Sequence, residues 1–403
     1  MNRKFCRMAA WSLGLALVAW GFHSTLDAQP PRREQRPRAK QAEDGQQQPA
    51  EIDIQKARAL MQKKRSGEKL TPDEEAYLEK TLASRRNTND ARRKVSAGGK
   101  ESLELVPLTD MGADDRYQGQ DGGLYGKGQN QPPEAHLRAA LEMAGRIEPL
   151  DKSGRPAADG KIVLISNGMS NTTQEFGAFV RLARADRSRS SSLVIVDGAQ
   201  GGMEASDWAR PDERFRKERP DPWSVLDQRL QQAGVSAAQV QVLWVKQARR
   251  NPAELGAFPK HSDTLSADVG MIVKKMKERF PNLRIAYLSS RIYAGYATGP
   301  LNPEPYAYES AFAVRSLIER QMAGDAELNF DPEKGQVQVP LLLWGPYLWA
   351  NGVKGRQQDD LIWNREDLGR DGTHPSDLGR TKVAKLLLDF FQNDPTAKPW
   401  FRK

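Results

Sequence analysis

The chain has 403 residues, a net charge of +9, a single cysteine and four histidines. These counts exclude a disulfide-stabilised scaffold and argue against a zinc centre built from clustered Cys and His side chains. The first 100 residues carry the whole excess of positive charge, so the basicity belongs to an extension and the remaining chain is about neutral.

Residues 1–28 are typical of a secretory signal peptide. Basic residues precede an apolar run from Met8 to Phe22, and small and polar residues follow it. The run is short for a transmembrane helix, and no later stretch is apolar enough to span a bilayer. Cys6 precedes the run, so cleavage would remove the only thiol. We therefore expect an exported protein, periplasmic or extracellular, with no transmembrane segment in the mature chain.

The next segments predict an extension ahead of the main domain. Residues 29–50 are rich in Pro, Gln and Arg and are typical of an unstructured linker. Residues 51–86 predict a small helical hairpin, whose second helix starts with Thr71 and Glu74 as a capping box. Residues 87–104 form a second, basic linker. The extension is either a solvated arm or a tether to an anionic envelope polymer; we expect no nucleic-acid partner.

Residues 105–403 have the composition of one large globular domain. Short apolar runs alternate with segments of helical spacing, which indicates a three-layer α/β/α sandwich around a five-stranded parallel sheet. The predicted strands are Lys161–Ser166, Ser192–Val196, Val240–Lys246, Arg284–Leu288 and Val337–Leu343. Ligand sites in such folds gather at the carboxyl ends of the strands.

Polar or glycine-rich turns follow the first two strands. Ser170 stands in a bend before a helix, where free backbone amides favour a nucleophile that must build an oxyanion; a simple helix cap is the alternative. The second turn, residues 197–202, has three glycines in five residues. These let backbone N–H groups approach a ligand closely, as an oxyanion hole requires, although a tight turn would need them too.

A carboxylate and an imidazole share one short turn near the end of the chain. Asp371 lies three residues before His374, and Pro375 biases the histidine away from helical geometry. Hydrogen bonding from Asp371 to one ring nitrogen would leave the other free to accept a proton from a hydroxyl. Turn and N-cap roles are the alternative. The last helix is predicted to bury one stripe, formed by Val383, Leu386, Leu387, Phe390 and Phe391.

In their order, these motifs make residues 160–392 resemble the SGNH (GDSL) hydrolase superfamily. The resemblance implies a flavodoxin-like sheet order, Ser170 as nucleophile, His374 as general base and then acid, and Asp371 as the residue that orients it. It also implies that the backbone amides of Ser170 and Gly202 are oxyanion donors. No cofactor and no metal ion are expected.

Two positions depart from the family pattern. Met169 stands where the family usually has aspartate, and Gln247 stands where it has an asparagine whose side chain donates to the oxyanion. Gln247 carries the same amide on a longer arm and is the candidate third donor. Lys246 could instead supply positive charge to a substrate.

The substrate is expected to be an acyl ester, such as an O-acetyl group, on a carbohydrate. Aromatic residues follow the last two strands and suit stacking on sugar rings, although core packing is the alternative. The expected substrate-binding residues are Asn171, Lys246, Tyr293 and Trp344. The sequence thus predicts a secreted serine esterase; the competing hypothesis is a weak or inactive relative that binds envelope glycans.

Overall fold

The computed structural model describes residues 60, 63, 70–77, 105–211 and 220–403. The predicted signal peptide and both predicted linkers lie outside the described residues, as does most of the predicted hairpin. The chain divides into two compact units, Met1–Ala83 and Ser84–Lys403.

In the first unit, the predicted capping box is present. The backbone N–H of Thr71 donates to Glu74 Oε2 over 2.8 Å, and the N–H of Glu74 donates to Thr71 Oγ1 over 3.3 Å. Residues 72–77 are helical, as expected after such a start.

The second unit contains alternating strands and helices. In chain order these are α1 (Glu134–Gly145), β1 (Ile162–Gly168), α2 (Ser170–Ala185), β2 (Leu193–Val196), α3 (Ala205–Ala209), α4 (Pro222–Gln232), β3 (Val240–Lys246), α5 (Lys260–Arg279), β4 (Ile285–Leu288), α6 (Tyr306–Met322), β5 (Leu341–Trp344), α7 (Asp377–Asn393) and α8 (Lys398–Phe401).

The strands form one five-stranded sheet in the order β2-β1-β3-β4-β5, and every neighbouring pair is parallel. This confirms the predicted α/β class, and the strand order is the flavodoxin-like one. The order reverses between β1 and β3, so the turn after β1 opens into the crevice at the switch point. Ser170 begins the helix that leaves this turn.

Two groups of helices pack around the sheet. α2 packs against α7, and α5 packs against α3 and α6. Aromatic contacts join α2 and α7 to the strands: Phe176 of α2 stacks on Trp244 of β3, and Tyr287 of β4 meets Phe391 of α7 edge to face. These ring contacts pack both helices, α2 and α7, against the sheet.

The predicted elements differ from the observed ones in detail. β5 begins at Leu341 rather than at residue 337, because Pro340 has no N–H to donate and the amides of residues 338 and 339 bond to the Asn329 carbonyl instead. On α7, Val383, Leu387 and Phe391 are buried as predicted, while residues 386 and 390 are only partly covered.

In the part of the chain that the structure describes, no helix is long and apolar enough to cross a bilayer.

Candidate active site

Ser170 lies at the carboxyl edge of the sheet, two residues after the glycine that ends β1. A Cβ on Gly168 would lie 2.2 Å from Thr172 Oγ1 and 2.4 Å from the Lys246 carbonyl oxygen, so no side chain fits there. The chain can therefore turn directly from β1 into α2. Ser170 is the first residue of α2, and its side chain is half-buried beside the free N–H groups of that helix end.

His374 and Asp371 are held in a self-contained turn. Asp371 Oδ1 accepts the backbone N–H groups of Thr373 (3.1 Å) and His374 (3.0 Å), while Asp371 Oδ2 lies 2.5 Å from His374 Nδ1. Gly372 has φ of +66°, and a Cβ there would lie 1.7 Å from the Tyr296 carbonyl oxygen. Only glycine satisfies both constraints.

The turn brings the imidazole to the serine. Ser170 Oγ lies 2.7 Å from His374 Nε2. An ionised carboxylate can only accept hydrogen bonds, so the proton shared with Asp371 belongs to Nδ1 and Nε2 is left to accept from the hydroxyl. Sequence reasoning placed these three residues in one site, and the structure brings them together as a continuous hydrogen-bonded chain.

The Asp371 carboxylate remains ionised in this arrangement. Burial favours its neutral form, but hydrogen bonds from the His374 ring and from two backbone N–H groups outweigh that effect, so the pKa of Asp371 lies below its ordinary value. A negative charge is thus fixed next to the ring nitrogen that carries a proton.

The glycine-rich turn after β2 lies beside the serine. The Gln200 N–H donates to the Gly168 carbonyl over 2.9 Å, and a Cβ on Gly201 would lie 3.8 Å from the Ser170 Cβ. Gly202 follows with φ of +79°. Within the described residues, no hydrogen bond engages the backbone N–H of Ser170 or of Gly202. Their role as oxyanion donors stays a prediction.

Asn171 has a different role from the predicted one. Its side chain is buried, and Nδ2 donates to the Thr373 carbonyl over 2.9 Å. This bond ties the start of α2 to the turn that carries His374. We expected a substrate contact and find a residue that positions the nucleophile relative to the base.

The side-chain amide of Gln247 is partly engaged: Nε2 donates one hydrogen bond, and the buried Oε1 has no partner among the described residues. Its side chain is buried, and Nε2 donates to Asn167 Oδ1 over 2.9 Å. The longer arm of glutamine folds back toward the end of β1 instead of ending in the cleft. One of the two Nε2 N–H groups is thus engaged, and a third oxyanion donor at this position stays a prediction.

The prediction that Lys246 contacts substrate is wrong. The side chain is fully buried, and Nζ binds both carboxylate oxygens of Glu175, with 2.6 Å to Oε1. Burial lowers the pKa of Lys246 to about 8, against the opposing attraction of Glu175. The pair joins β3 to α2 beneath the nucleophile.

The predicted aromatic rim is part of the core. Tyr293 and Trp344 are only 2% and 5% exposed. Trp344 Nε1 donates to the Leu124 carbonyl over 2.6 Å, and the Tyr293 ring packs against Trp349 with centroids 5.9 Å apart. Segments that precede β1 and follow β5 cover these rings, so neither can stack on a sugar. Core packing, the alternative, is correct for both.

One residue of this region was missed by the sequence reasoning. Arg291 comes three residues after the end of β4, at the strand edge where ligands gather, and it is 3% exposed. Its position after a strand was the available signal. Which charges surround Arg291, and which hydrogen-bond partners it lacks, depends on the tertiary structure.

Among the described residues, no group of three or more His, Cys, Asp and Glu side chains could hold a metal ion.

Comparisons with known proteins find distant structural likeness and no match by sequence. No protein-family model matches the chain, and no curated protein matches it by sequence. Among solved structures, it is similar to a gut microbial diltiazem-metabolizing enzyme, with a TM-score of 0.31 and 17% identity over 57% of this chain and 46% of that one. The match spans less than half the length of that protein, and a likeness at this level says nothing about chemistry.

Proposed function

We propose that this protein is a serine hydrolase of the SGNH type that cleaves an acyl ester. The supporting observation is the hydrogen-bonded series from Ser170 Oγ through the His374 ring to Asp371, with distances of 2.7 Å and 2.5 Å. The nucleophile, the base and the carboxylate that orients the base each have the hydrogen-bond partner that their role requires.

The residues present support a two-step mechanism. Ser170 Oγ attacks the ester carbonyl while His374 Nε2 takes the hydroxyl proton, and the resulting oxyanion accepts from the amides of Ser170 and Gly202. Collapse of this intermediate expels the alcohol, which receives the proton from His374. A water molecule, deprotonated by the same imidazole, then attacks the acyl-enzyme; the carboxylic acid leaves, and Ser170 Oγ takes the proton back from His374. Asp371 holds the ring and stabilises its cationic form throughout.

Export follows from residues 1–28, and a carbohydrate alcohol follows from the family resemblance. The buried positions of Tyr293 and Trp344 remove the stacking argument for a sugar. An acyl ester is therefore the substrate class that the site supports.

The second candidate is a binding protein on the same fold. It is favoured by position 247, where the family has an oxyanion-binding asparagine and the Gln247 side chain here donates to Asn167. Loss of one oxyanion donor lowers the rate by about 10²–10³-fold. A site with two backbone donors therefore predicts a slow enzyme rather than an inactive one.

Labelling with a fluorophosphonate probe tests the proposal. We expect one label per chain, mapped to Ser170 by peptide mass analysis, and no label in Ser170→Ala or His374→Ala. Ser376→Ala is the matched control, because that hydroxyl caps α7 and donates to the Glu366 carbonyl without touching the triad. It should label like the wild type. An unlabelled but folded wild type would favour the binding protein.

A further inference from the structure

A cavity of about 600 Å³ lies beside the edge strand β5, between α1 and the segment that joins α6 to β5. This volume is typical of sites that bind small organic molecules. Two strands lie between β5 and β1, so about 14 Å of sheet separates β5 from the strand that leads to Ser170. The cavity has an apolar lining formed by Pro133, Ala139, Met143, Met322, Leu328 and Phe330.

One wall of the cavity is His136, whose ring is fixed by the edge strand. Its Nε2 lies 2.8 Å from the Leu342 carbonyl oxygen. A carbonyl oxygen can only accept a hydrogen bond, so Nε2 carries a proton and donates it. Gln321 Oε1 accepts the N–H of Leu342 over 2.7 Å. Together the two side chains pair backbone groups that an edge strand would otherwise leave open.

The other ring nitrogen of His136 is an unused acceptor. Burial lowers the pKa of His136, against the opposing bond to the Leu342 carbonyl, so the ring is neutral at pH 7 and Nδ1 carries a lone pair. No hydrogen bond among the described residues engages Nδ1. His136 is only 7% exposed, yet Nδ1 is not sealed from solvent as both ring nitrogens of His261 are. Nδ1 therefore offers the cavity an acceptor for one N–H or O–H donor.

The charged side chains around the cavity favour a cation. Four carboxylates and two cations line it, which gives a net charge of −2: Glu142, Asp325, Asp331 and Glu333 against Arg146 and Lys334. Both cations are already paired within this group, since Arg146 binds Glu142 and Lys334 Nζ lies 3.5 Å from an Asp331 oxygen. Glu333 forms no ion pair with a described residue. An anionic ligand would therefore be repelled and a cationic one attracted.

We propose that this cavity binds an organic ammonium ion with an apolar body. The ammonium group donates a hydrogen bond to His136 Nδ1 and is attracted by the surrounding carboxylates. The apolar body packs against Met143, Met322 and Phe330, because methionine side chains adapt to irregular shapes and an aromatic face attracts a nearby cation. This inference does not rest on the proposed esterase function, because no residue of the triad lines the cavity.

The test compares three probes of similar shape on the full-length protein. These are 4-phenylbutylamine, 4-phenylbutan-1-ol and 4-phenylbutyrate, which are cationic, neutral and anionic at pH 7. Ligand-observed NMR titrations measure the Kd of each probe. We expect the amine to bind about tenfold more tightly than either of the others, because a hydrogen bond from a charged donor is about twice as strong as a neutral one and the carboxylates add their attraction.

Two variants remove the features that favour the amine. His136→Gln keeps a donor for the Leu342 carbonyl but has no acceptor in the place of Nδ1, so the preference for the amine should fall to about threefold or less. Glu333→Gln removes an exposed charge and should weaken amine binding by about twofold, with no effect on the alcohol. Glu327→Gln is the matched control: this carboxylate lies in the same segment, pairs with Lys274 and does not line the cavity. It should leave all three Kd values unchanged.

Nitrogen NMR of the histidine rings gives a readout that needs no variant, and it serves if His136→Gln does not fold. The chain has four histidines. The amine should shift the Nδ1 resonance of His136 and leave the ring resonances of His374 unchanged. A shift at His374 instead would place the amine in the proposed active site and overturn the inference. Equal Kd values for the three probes would overturn it too, as would a full amine preference in both His136→Gln and Glu333→Gln.

Discussion

The turn that carries His374 depends on one glycine. Gly372→Ala would place a methyl group on the Tyr296 carbonyl, 1.7 Å away, at a φ that alanine rarely adopts. The turn must then shift, and His374 shifts with it. We expect a loss of more than about 1 kcal/mol in unfolding free energy, measured by urea denaturation, together with reduced labelling of Ser170.

Gly177→Ala is the matched control for that variant. Gly177 lies inside α2, and a Cβ there would meet nothing within 4 Å. Alanine stabilises a helix interior by up to about 1 kcal/mol relative to glycine. Equal destabilisation by both substitutions would contradict the assigned role of Gly372.

Asp371 is expected to act through its charge. Asp371→Asn keeps the shape of the turn but removes the anion beside the imidazole, and we expect kcat to fall by about 10³–10⁴-fold. Asp377→Asn is the control: this carboxylate is exposed at the start of α7, and its ion-pair partner among the described residues is Arg380. Ester hydrolysis by both variants at neutral pH measures the difference; a similar loss in Asp377→Asn would point to a general charge effect.

The same carboxylate makes the stability depend on pH. Because the pKa of Asp371 is lower in the folded than in the unfolded state, its stabilising effect is complete above the unfolded value of about 4 and is lost as the pH falls through the folded value. The difference in Tm between wild type and Asp371→Asn should therefore be constant above about pH 5 and shrink below pH 4. A difference that grows on acidification would contradict this assignment.

At the level of whole elements, a buried ion pair joins α2 to β3. Lys246→Met leaves the Glu175 carboxylate buried without its cation, and such a change costs about 3–5 kcal/mol. The double variant Lys246→Met/Glu175→Leu removes both charges and should recover most of that loss. Urea unfolding of Lys246→Met, Glu175→Leu and the double variant measures the coupling free energy between the two charges.

A second lysine provides the control for this cycle. Lys274 pairs with Glu327 on the surface, where the carboxylate side chain is 75% exposed. Lys274→Met should change the unfolding free energy by less than about 1 kcal/mol. If Lys246→Met is equally mild, the buried pair does not hold α2 on the sheet.

At the scale of the whole molecule, the site and the basic extension belong to different parts of the chain. The unit Ser84–Lys403 contains all five strands and the residues of the triad. A protein that starts at residue 101 should therefore keep the Tm of the domain and the labelling of Ser170. It should lose retention on an anionic matrix, because the excess positive charge lies in the first 100 residues.

The salt dependence of binding to the matrix distinguishes a tethering extension from a solvated arm. Elution of the full-length protein from the anionic matrix should require more salt than elution of the shortened one. Identical elution would make the extension a solvated arm without a tethering role.

The sequence by itself determined the features that depend on near neighbours. Strand and helix positions follow from short periodic patterns, and the hydrogen bonds between Asp371 and His374 span only three residues, so the turn was predictable in detail. Ser170 was predictable because a bend after a parallel strand must open at the carboxyl edge of the sheet.

Only the tertiary structure decided which polar and aromatic side chains reach that edge. Lys246 and Trp344 follow or end strands as ligand-binding residues do, but helices and loops distant in sequence cover them. The bond from Asn171 to Thr373 spans 202 residues, and whether the buried Nε and Nη2 of Arg291 find hydrogen-bond partners depends on the segments packed around them. Burial and pairing depend on the packing of the whole chain, which local periodicity does not encode.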